Sequence, residues 1–324
     1  MKILIIQTAF IGDVVLATSL IEKLSAFYPN AKIDFLLKKG NESLLKNNPK
    51  VSKVIIFDKS QGKFKSLFSL VSSVRKEKYT HVINVHRFFS SGLVTVLSGA
   101  QEKIGFNKNP LSFLFSKSVK HSISSNGSLL HEVERNQKLI EHITDKSFAK
   151  PKLYPSNNDF NIIPKSKYVC IAPSSVWFTK QLPVKKWREL ISLIPNDIEV
   201  FLLGSASDVN LCDTISLDFT LKKIHNVCGK LSFLESAALM SVAKMNYVND
   251  SAPAHFASAM NAAVTVFYCS TVPQFGFGPL SKETFVLETS QVLSCRPCGL
   301  HGKKFCPKGH FKCGEIDIKS TNLC

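Results

Sequence analysis

Short apolar runs alternate with longer segments of helical periodicity along the first half of the chain. Residues 3 to 7 predict a buried strand, and apolar residues at 16, 20, 24 and 27 predict a helix over residues 14 to 28. Further strands are predicted at 33 to 37, 54 to 57 and 81 to 84, and further helices at 43 to 46, 64 to 77 and 129 to 142. Residues 99 to 120 are basic and predict a loop with exposed aromatic side chains at Phe106, Phe113 and Phe115. Strands alternating with helices indicate a parallel, doubly wound sheet.

The same alternation begins again after a polar, proline-rich stretch at residues 145 to 165. Strands are predicted at 168 to 172, 199 to 203, 245 to 248 and 263 to 268, with helices at 184 to 194, 231 to 243 and 253 to 260. The predicted fold class is α/β, with two Rossmann-like doubly wound domains facing a cleft. Ligands bind outside the carboxyl ends of such strands. We therefore expect a site formed by the loops at 7 to 13, 173 to 183, 204 to 208 and 249 to 255.

Positive charge is concentrated in the first half of this 324-residue chain. Of the net charge of +17, residues 1 to 165 contribute +13, from 25 Lys and Arg against 12 Asp and Glu. Such a surface attracts nucleic acid, anionic lipid or an acidic substrate, or serves solubility alone. No apolar segment approaches the roughly 20 residues that span a bilayer. We expect a cytoplasmic protein that is at most peripheral on the inner face of the membrane.

Four of the nine cysteines fall within residues 295 to 313. Disulfides are disfavoured in the cytoplasm. One interpretation is a zinc site, and the other is a reduced segment that packs without metal, because six residues separate the last two cysteines where two to four are usual. We favour the absence of a metal and keep the zinc site as the weaker alternative. The cysteines concerned are Cys295, Cys298, Cys306 and Cys313.

Asp13 follows the first strand, next to Gly12, at the predicted start of the first helix. No Gly-x-Gly-x-x-Gly motif is present, which argues against a nicotinamide-dependent oxidoreductase. A carboxylate at this position repels phosphate but can act as a general base for a hydroxyl group. The alternative is that Asp13 only interacts with the helix dipole in the first turn.

Two segments of the second half carry groups that suit a diphosphate. The loop at 173 to 183 offers hydroxyl groups and a cation, although such loops are also common as plain surface. At residues 247 to 255 a strand passes directly into a helix, whose first N–H groups and dipole favour an anion, with Ser251 or Asp250 as the cap. A plain helix start with a packed His255 is the alternative. In the loop at 173 to 183, the side chains that offer hydroxyl groups and the cation are Ser174, Ser175, Thr179 and Lys180.

Five ordered segments carry a family resemblance that extends over nearly the whole chain. They are Gly12-Asp13 and residues 175 to 183, 229 to 232, 249 to 255 and 277 to 280. Together they resemble glycosyltransferase family 9, the ADP-heptose:lipopolysaccharide heptosyltransferase family. The cysteine-rich tail looks most like the heptosyltransferase II branch.

This resemblance implies a GT-B architecture and a specific reaction. It implies an acceptor-binding domain at residues 1 to 160, a nucleotide-sugar-binding domain at 161 to 290 and a cysteine-rich segment at 291 to 324. The enzyme would transfer heptose from ADP-heptose to the lipopolysaccharide inner core at the inner leaflet, with inversion. It would require no metal ion and no cofactor, and it would not bind nucleic acid. Asp13 would be the general base, and the donor would contact Ser174, Ser175, Thr179, Lys180, Asp208, Asp250, Ser251 and His255.

The chain departs from the family motifs at Gln7, where an arginine is frequent, at Leu182, where a tryptophan is common, and at two further positions near the expected donor site. Ala252 replaces the usual glycine, and Gln181 stands where an arginine is common. These departures keep open a non-catalytic nucleotide-sugar-binding paralogue, although the intact Asp13 argues against it. The positive charge and the cysteines keep open a nucleic-acid-binding protein with a zinc-stabilised tail, although no recognised binding motif accompanies them.

Overall fold

The computed structural model describes residues 1–58, 60, 63–125 and 127–321, without the side chains of residues 63, 64 and 125. The chain divides into two compact units, Met1–Tyr154 (unit 1) and Pro155–Cys324 (unit 2). The end of the predicted cysteine-rich segment, residues 322–324, lies outside the described residues. The division falls in the polar stretch in which the sequence predicts a boundary after residue 160.

Unit 1 alternates strands and helices as its hydrophobic pattern predicts. Its strands are β1 (Lys2–Ile6), β2 (Lys32–Lys38), β3 (Lys53–Phe57), β4 (His81–Asn84), β5 (Glu102–Phe106), β6 (Lys117–Val119), β7 (Ser124–Ser125) and β8 (Ser128–Leu129). Its helices are α1 (Ile11–Phe27), α2 (Lys63–Lys76), α3 (Phe89–Leu97) and α4 (Glu132–Lys138). The strands β1 to β4 and the helices α1 and α2 lie within a few residues of their predicted positions.

The stretch at residues 99 to 120 corrects the sequence prediction. It is not a continuous loop, because it contains β5 and β6, which extend the sheet beyond β4. Phe106 ends β5 and is buried, whereas Phe113 is exposed as predicted. Phe115 packs on Gly105, where an added Cβ would lie 2.5 Å from the Phe115 ring. Helix α3 was not predicted, the helix expected at 43 to 46 is a 3-10 turn, and α4 is shorter than expected.

The sheet of unit 1 is parallel and has the strand order β3-β2-β1-β4-β5-β6. Residues 3 to 6 of β1 are fully buried, which is typical of a central strand covered on both faces. The chain leaves β1 toward β2 on one side and later adds β4 on the other. The strand order therefore reverses between β1 and β4, where ligands bind in doubly wound sheets.

Unit 2 repeats this organisation. Its strands are β9 (Tyr168–Ala172), β10 (Glu199–Leu202), β11 (Ile224–Asn226), β12 (Asn246–Asn249), β13 (Val264–Tyr268) and β14 (Thr284–Glu288). Its helices are α5 (Val184–Leu193), α6 (Val209–Ser216), α7 (Phe233–Ser241) and α8 (Ala252–Met260). The elements α6, β11 and β14 were not predicted, and the others lie close to their predicted positions.

The sheet of unit 2 is also parallel, in the order β11-β10-β9-β12-β13-β14. Its order reverses between β9 and β12, so the loops that follow these two strands are the expected ligand site. The cysteine-rich tail belongs to this unit, since Cys313, Ile316 and Ile318 are buried in one core cluster with Trp187 of α5. Within the described residues, no helix is long and apolar enough to cross a membrane.

Candidate active site

A buried ion pair lies at the carboxyl edge of the unit 2 sheet. Lys180 Nζ is 2.7 Å from Asp250 Oδ2, and the Thr271 hydroxyl donates to the same oxygen at 2.6 Å. These residues follow β9, β12 and β13, which are adjacent in the sheet, so the topology brings them together. An ammonium group has three N–H donors, and the bond to Asp250 leaves two of them for a ligand.

Helix α8 begins directly after this ion pair. Ser251 is its N-cap residue, but the side chain makes no capping hydrogen bond, and its hydroxyl instead donates to the Asn249 carbonyl oxygen at 3.4 Å. Ser251 is therefore the cap residue, as predicted, but without a side-chain capping bond, and the Asp250 carboxylate is held by Lys180 and Thr271. Pro253 lies in the first turn as predicted. The helix start thus offers N–H groups and the positive dipole end to an anion.

The loop at residues 173 to 183 is held in place by Asn249, the last residue of β12. Its Oδ1 accepts a hydrogen bond from Leu182 N at 2.9 Å, and its Nδ2 donates to the Pro173 carbonyl oxygen at 2.7 Å. Gln181 Nε2 also donates to the Ser175 carbonyl oxygen at 2.6 Å within the loop. The two ends of the loop are therefore fixed to the strand that precedes Asp250.

Thr179 lies beneath this loop rather than at its surface. Its side chain is 1% exposed, and its hydroxyl accepts hydrogen bonds from Ser270 Oγ at 2.9 Å and from Lys303 N at 2.8 Å. The contact between Thr179 and the donor stays a prediction, because the side chain is buried under the loop in this structure. The hydroxyl is already used to join the loop to the end of β13 and to the tail.

The other predicted donor residues lie around the same edge in different environments. Ser174 and Ser175 are half-buried, and their hydroxyls have no hydrogen-bond partner among the described residues. Asp208 follows β10, and its Oδ2 accepts hydrogen bonds from Ser205 N at 2.7 Å and Ser205 Oγ at 2.6 Å. His255 is buried in α8, with its ring centroid 6.5 Å from that of Phe277.

Two residues that the sequence analysis did not identify complete this arrangement. Thr271 bonds to Asp250, and Arg296 of the tail donates to the carbonyl oxygens of Cys269 at 2.6 Å and Thr271 at 2.8 Å. Arg296 also pairs with the Glu288 carboxylate. The polar residues after the predicted strand at 263 to 268 were a signal for Thr271. Arg296 is distant in sequence from the residues it holds, so no local pattern indicated it.

The four clustered cysteines line a cavity of about 310 Å³ in the tail. Burial raises the pKa of Cys313 to about 11. Burial also opposes ionisation of Cys306, but backbone N–H donors, including that of Phe311, outweigh it and lower the Cys306 pKa. Within the part of the chain that the structure describes, no three Cys, His, Asp or Glu side chains are arranged to hold a metal ion. The alternative of a zinc site made of Cys295, Cys298, Cys306 and Cys313 therefore gains no support.

In unit 1, Asp13 lies in the first turn of α1, directly after β1. Its Oδ2 accepts a hydrogen bond from Phe10 N at 3.2 Å. Burial and, after it, the charge of Glu132 raise the pKa of the Asp13 carboxyl from its ordinary 3.8 to about 6, against the opposing effects of Phe10 N–H and Arg87. A pKa near the working pH suits a general base. The bond to Phe10 shows that Asp13 also serves the helix start.

The residues after β4 flank Asp13 across the point of strand reversal. Thr8 Oγ1 lies 2.9 Å from His86 Nδ1, which joins the loop after β1 to the loop after β4. The neighbouring Arg87 is exposed and its charge acts on Asp13. Strand β4 was predictable, but the roles of His86 and Arg87 were not, because nothing in the sequence shows that β4 pairs with β1.

The glycosyltransferase family 9 (heptosyltransferase) model matches residues 67–305, which is most of the chain. The chain belongs to this family. The family 9 chain is 29% identical over 277 residues to lipopolysaccharide heptosyltransferase 3 of Escherichia coli strain K12, covering 80% of each protein. It is 25% identical over 309 residues to lipopolysaccharide heptosyltransferase 2 of that strain, covering 89% of this chain and 88% of the relative. The predicted family and the prediction of a glycosyltransferase are confirmed.

Solved structures show the same fold. The structure of E. coli ADP-heptose lipopolysaccharide heptosyltransferase II matches with a TM-score of 0.78 at 22% identity, covering 96% of this chain and 97% of the other. An E. coli heptosyltransferase determined with ADP matches with a TM-score of 0.73 at 18% identity, covering 88% and 92%. The predicted GT-B type of α/β architecture is therefore confirmed for this family 9 enzyme.

Proposed function

We propose that this enzyme transfers heptose from ADP-heptose to the inner core of lipopolysaccharide, with inversion at the anomeric carbon and without a metal ion. The names of its relatives support the sugar and the acceptor. The observation that carries the proposal is the Lys180–Asp250 pair beside the open start of α8, at the point of strand reversal of unit 2. This arrangement offers a cation and helix N–H groups to a diphosphate.

In the proposed donor site, Lys180 and the first N–H groups of α8 bind the diphosphate. Asp250 holds the Lys180 ammonium group in position, and Ser251 lies where the helix meets the ligand. The half-buried hydroxyls of Ser174 and Ser175 are available as further donors. Because negative charge grows on the diphosphate as the sugar leaves, these groups stabilise the transition state more than the ground state. Because the proposed mechanism uses no metal ion, Lys180 and the first N–H groups of α8 stabilise this charge.

Two further residues belong to the proposed donor site with separate functions. Asp208 follows β10, next to β9 in the sheet, and we assign it to the ribose hydroxyls through the carboxylate oxygen that does not bond to Ser205. His255 is buried in α8 and is assigned to support of the helix start. Unit 2 is accordingly the proposed nucleotide-sugar-binding domain.

Unit 1 is the proposed acceptor-binding domain, with Asp13 as the general base. The Asp13 carboxylate takes the proton from an acceptor hydroxyl while the hydroxyl oxygen forms a bond to the anomeric carbon. The bond between that carbon and the diphosphate oxygen breaks on the opposite face, and ADP leaves with the electron pair. A lipopolysaccharide acceptor is anchored in a membrane, so the enzyme is proposed to act in the cytoplasm, in transient contact with the inner leaflet.

The test is a donor panel with core lipopolysaccharide as acceptor, in the presence of a metal chelator. ADP-heptose, UDP-glucose and GDP-mannose are compared by nucleotide release, and the configuration of the product linkage is determined by NMR. We expect transfer from ADP-heptose alone, with inversion and no loss on chelation. Preference for UDP or GDP donors, or retention of configuration, would contradict the proposal.

Asp13→Asn tests the assigned base. We expect transfer to fall by about 10²-fold to 10⁴-fold, since general base catalysis is typically of this size, while ADP affinity stays unchanged. Asp58→Asn is the matched control, because Asp58 pairs with Lys39 at the surface of unit 1. Turnover by Asp13→Asn at the level of the control would show that another group takes the proton.

A further inference from the structure

Unit 1 exposes a group of large apolar side chains at the carboxyl edge of its sheet. Phe10 follows β1, Phe88 and Phe89 follow β4, and the 3-10 turn after β5 carries Phe113 and Leu114. The exposed fractions are 60%, 55%, 54%, 76% and 48%, respectively. The strands β1, β4 and β5 are adjacent in the sheet, and Ser112 Oγ donates to the Asn107 carbonyl oxygen at 3.2 Å, which places the start of the turn beside the end of β5. We call this group the aromatic rim.

The loops that carry the aromatic rim are fixed to one another. Asn109 Nδ2 donates to the carbonyl oxygens of His86 and Phe88, both at 3.1 Å, which joins the loop after β5 to the loop after β4. The contact between Thr8 Oγ1 and His86 Nδ1 joins the loops after β1 and β4. These hydrogen bonds fix the three loops to one another, so the loops present the aromatic side chains in fixed positions.

Cations lie directly on the aromatic rim. Lys38 Nζ is 5.3 Å from the centroid of the Phe10 ring, and Arg87 Cζ is 5.6 Å from that of Phe88. Neither cation forms an ion pair within 4.0 Å with a described residue. Unit 1 as a whole has 24 Lys and Arg against 11 Asp and Glu, a net charge of +13. The rim thus combines exposed apolar rings with two cations that form no ion pair with a described residue.

We propose that the aromatic rim is the surface through which unit 1 docks on an anionic lipid bilayer. Aromatic side chains insert at the boundary between headgroups and acyl chains, while Lys and Arg keep their charges among the headgroup phosphates. A contiguous exposed apolar patch in a water-soluble unit marks an interaction site. The positive charge on the rings favours a negatively charged partner surface. The proposal deepens the proposed function, on which it rests for a membrane-anchored acceptor, and names the residues that contact the membrane.

The test is cosedimentation of the full chain with vesicles. Phosphatidylcholine vesicles with and without about one third phosphatidylglycerol are compared at low and high salt, because charge attraction is screened by salt. We expect at least about ten-fold stronger binding to the anionic vesicles at low salt. Phe89→Ser with Phe113→Ser should weaken that binding by about ten-fold or more, because two rings no longer enter the interface.

The matched control is Phe27→Ser with Phe148→Ser. Phe27 ends α1, whose 17 residues place it about 25 Å from Phe10, and both control side chains are exposed. The control should bind vesicles as the wild type does. Equal losses in the two variants, no binding by the wild type, or binding that ignores lipid charge and salt would overturn the proposal.

Transfer to a water-soluble core oligosaccharide separates this proposal from the proposed function. Both double variants should retain wild-type ADP affinity and wild-type rates with that acceptor, which also shows that they fold. Intact transfer without vesicle binding by the wild type would remove the docking surface alone. Vesicle binding without transfer would instead remove the proposed function.

Discussion

At the scale of single residues, the environment of Asp13 decides what its carboxyl group can do. The sequence places a carboxylate after the first strand, where it fits a general base and a helix-dipole partner equally well. The structure adds the burial and the nearby Glu132 charge that raise its pKa to about 6. Because Glu132 is far from Asp13 in the sequence, only the folded chain supplies this second effect.

The raised pKa of Asp13 predicts the pH dependence of transfer. The base is active when ionised, so kcat/KM should fall about ten-fold for each pH unit below the pKa of about 6 and level off above it. The measurement is kcat/KM between pH 4.5 and 8.5 at saturating acceptor. A profile that is flat down to pH 5 would show that the group that takes the proton has an ordinary carboxyl pKa.

The stability of Asp13→Asn checks that this pKa belongs to Asp13. A carboxyl pKa that is higher in the folded than in the unfolded chain means that ionisation opposes folding. The opposition is absent below about pH 4 and complete above about pH 6. Relative to the wild type, Asp13→Asn should therefore be unchanged at pH 4 and more stable by about 1 to 2 kcal/mol at pH 7.5, after allowance for partial exposure. Urea unfolding at the two pH values measures this difference.

The residues proposed to bind the donor show how far the position of a side chain can be predicted from sequence. Lys180 and Asp250 could be placed at one edge of the sheet from sequence, because each follows a predicted parallel strand, but their ion pair could not be predicted. The burial of Thr179, which is adjacent to Lys180, could not be predicted. Its side chain points into the unit, where Ser270 and Lys303 use its hydroxyl. Both neighbours in sequence are polar, and only the packing shows that Lys180 reaches Asp250 whereas Thr179 is buried.

At the scale of elements, the long and strongly patterned segments were predictable and the short edge segments were not. Strands β1 and β9 are continuous apolar runs, as buried parallel strands usually are. Strands β6 and β11 have three residues each, too few to show a period. They form because the neighbouring strands offer unpaired backbone groups. Their existence is a consequence of the sheet rather than of their own sequence.

The cysteine-rich tail also functions as an element, because it supports the loop that carries Lys180. Thr179 N donates to the Lys303 carbonyl oxygen at 3.1 Å, and Cys298 N donates to the Ser270 carbonyl oxygen at 2.8 Å. Gly302 has φ +75°, and an added Cβ would lie 2.9 Å from Lys180 Cγ and 3.1 Å from Thr179 Oγ1. The absence of a side chain at Gly302 thus allows the tail to approach the loop.

Gly302→Ala should therefore disturb the donor site. The new methyl group displaces Lys180 or the tail, so we expect a loss of about 1 to 3 kcal/mol in the free energy of unfolding and weaker ADP binding by several-fold. Urea unfolding and calorimetric titration with ADP measure the two effects.

Gly299→Ala is the matched control for this substitution. Gly299 has φ +80° but no atom within 4 Å of an added Cβ, so it shares the backbone strain without the steric clash. It should lose about 1 kcal/mol of stability and keep the ADP affinity of the wild type. Equal ADP affinities in the two variants would mean that the tail does not position Lys180.

At the scale of the whole molecule, the two units use one strand order and place their candidate sites at equivalent points. In each unit the strand order reverses next to the first strand of the sheet. The candidate site residues follow the two strands between which the order reverses. Asp13 and Arg87 occupy this point in unit 1, and Lys180 and Asp250 occupy it in unit 2. The assignment of acceptor to unit 1 and donor to unit 2 is therefore testable with ADP alone.

ADP should stabilise the full chain through unit 2. A ligand that binds only the folded state adds about 2.7 kcal/mol at 100 times its Kd, so the melting temperature should rise with ADP concentration. Hydrogen exchange should slow in residues 173 to 183 and 250 to 254, with no change in the first turn of α1. Inosine diphosphate has the same ribose and diphosphate but a different base, so comparison with it measures how much the adenine contributes to binding. Slowed exchange confined to unit 1 would reverse the assignment of the two units.

The amino-acid sequence alone indicates the alternation of strands and helices, the two-part α/β organisation, the family and the location of Asp13, Lys180 and Asp250 after strands. These features depend on local periodicity and on short motifs, both of which are visible in the linear sequence. The folded chain is needed to find the Lys180–Asp250–Thr271 contacts, the burial of Thr179, the raised pKa of Asp13 and the grouping of the aromatic rim. Each of these depends on which strands become neighbours, and strand pairing is set by burial across the whole sheet rather than by any one segment.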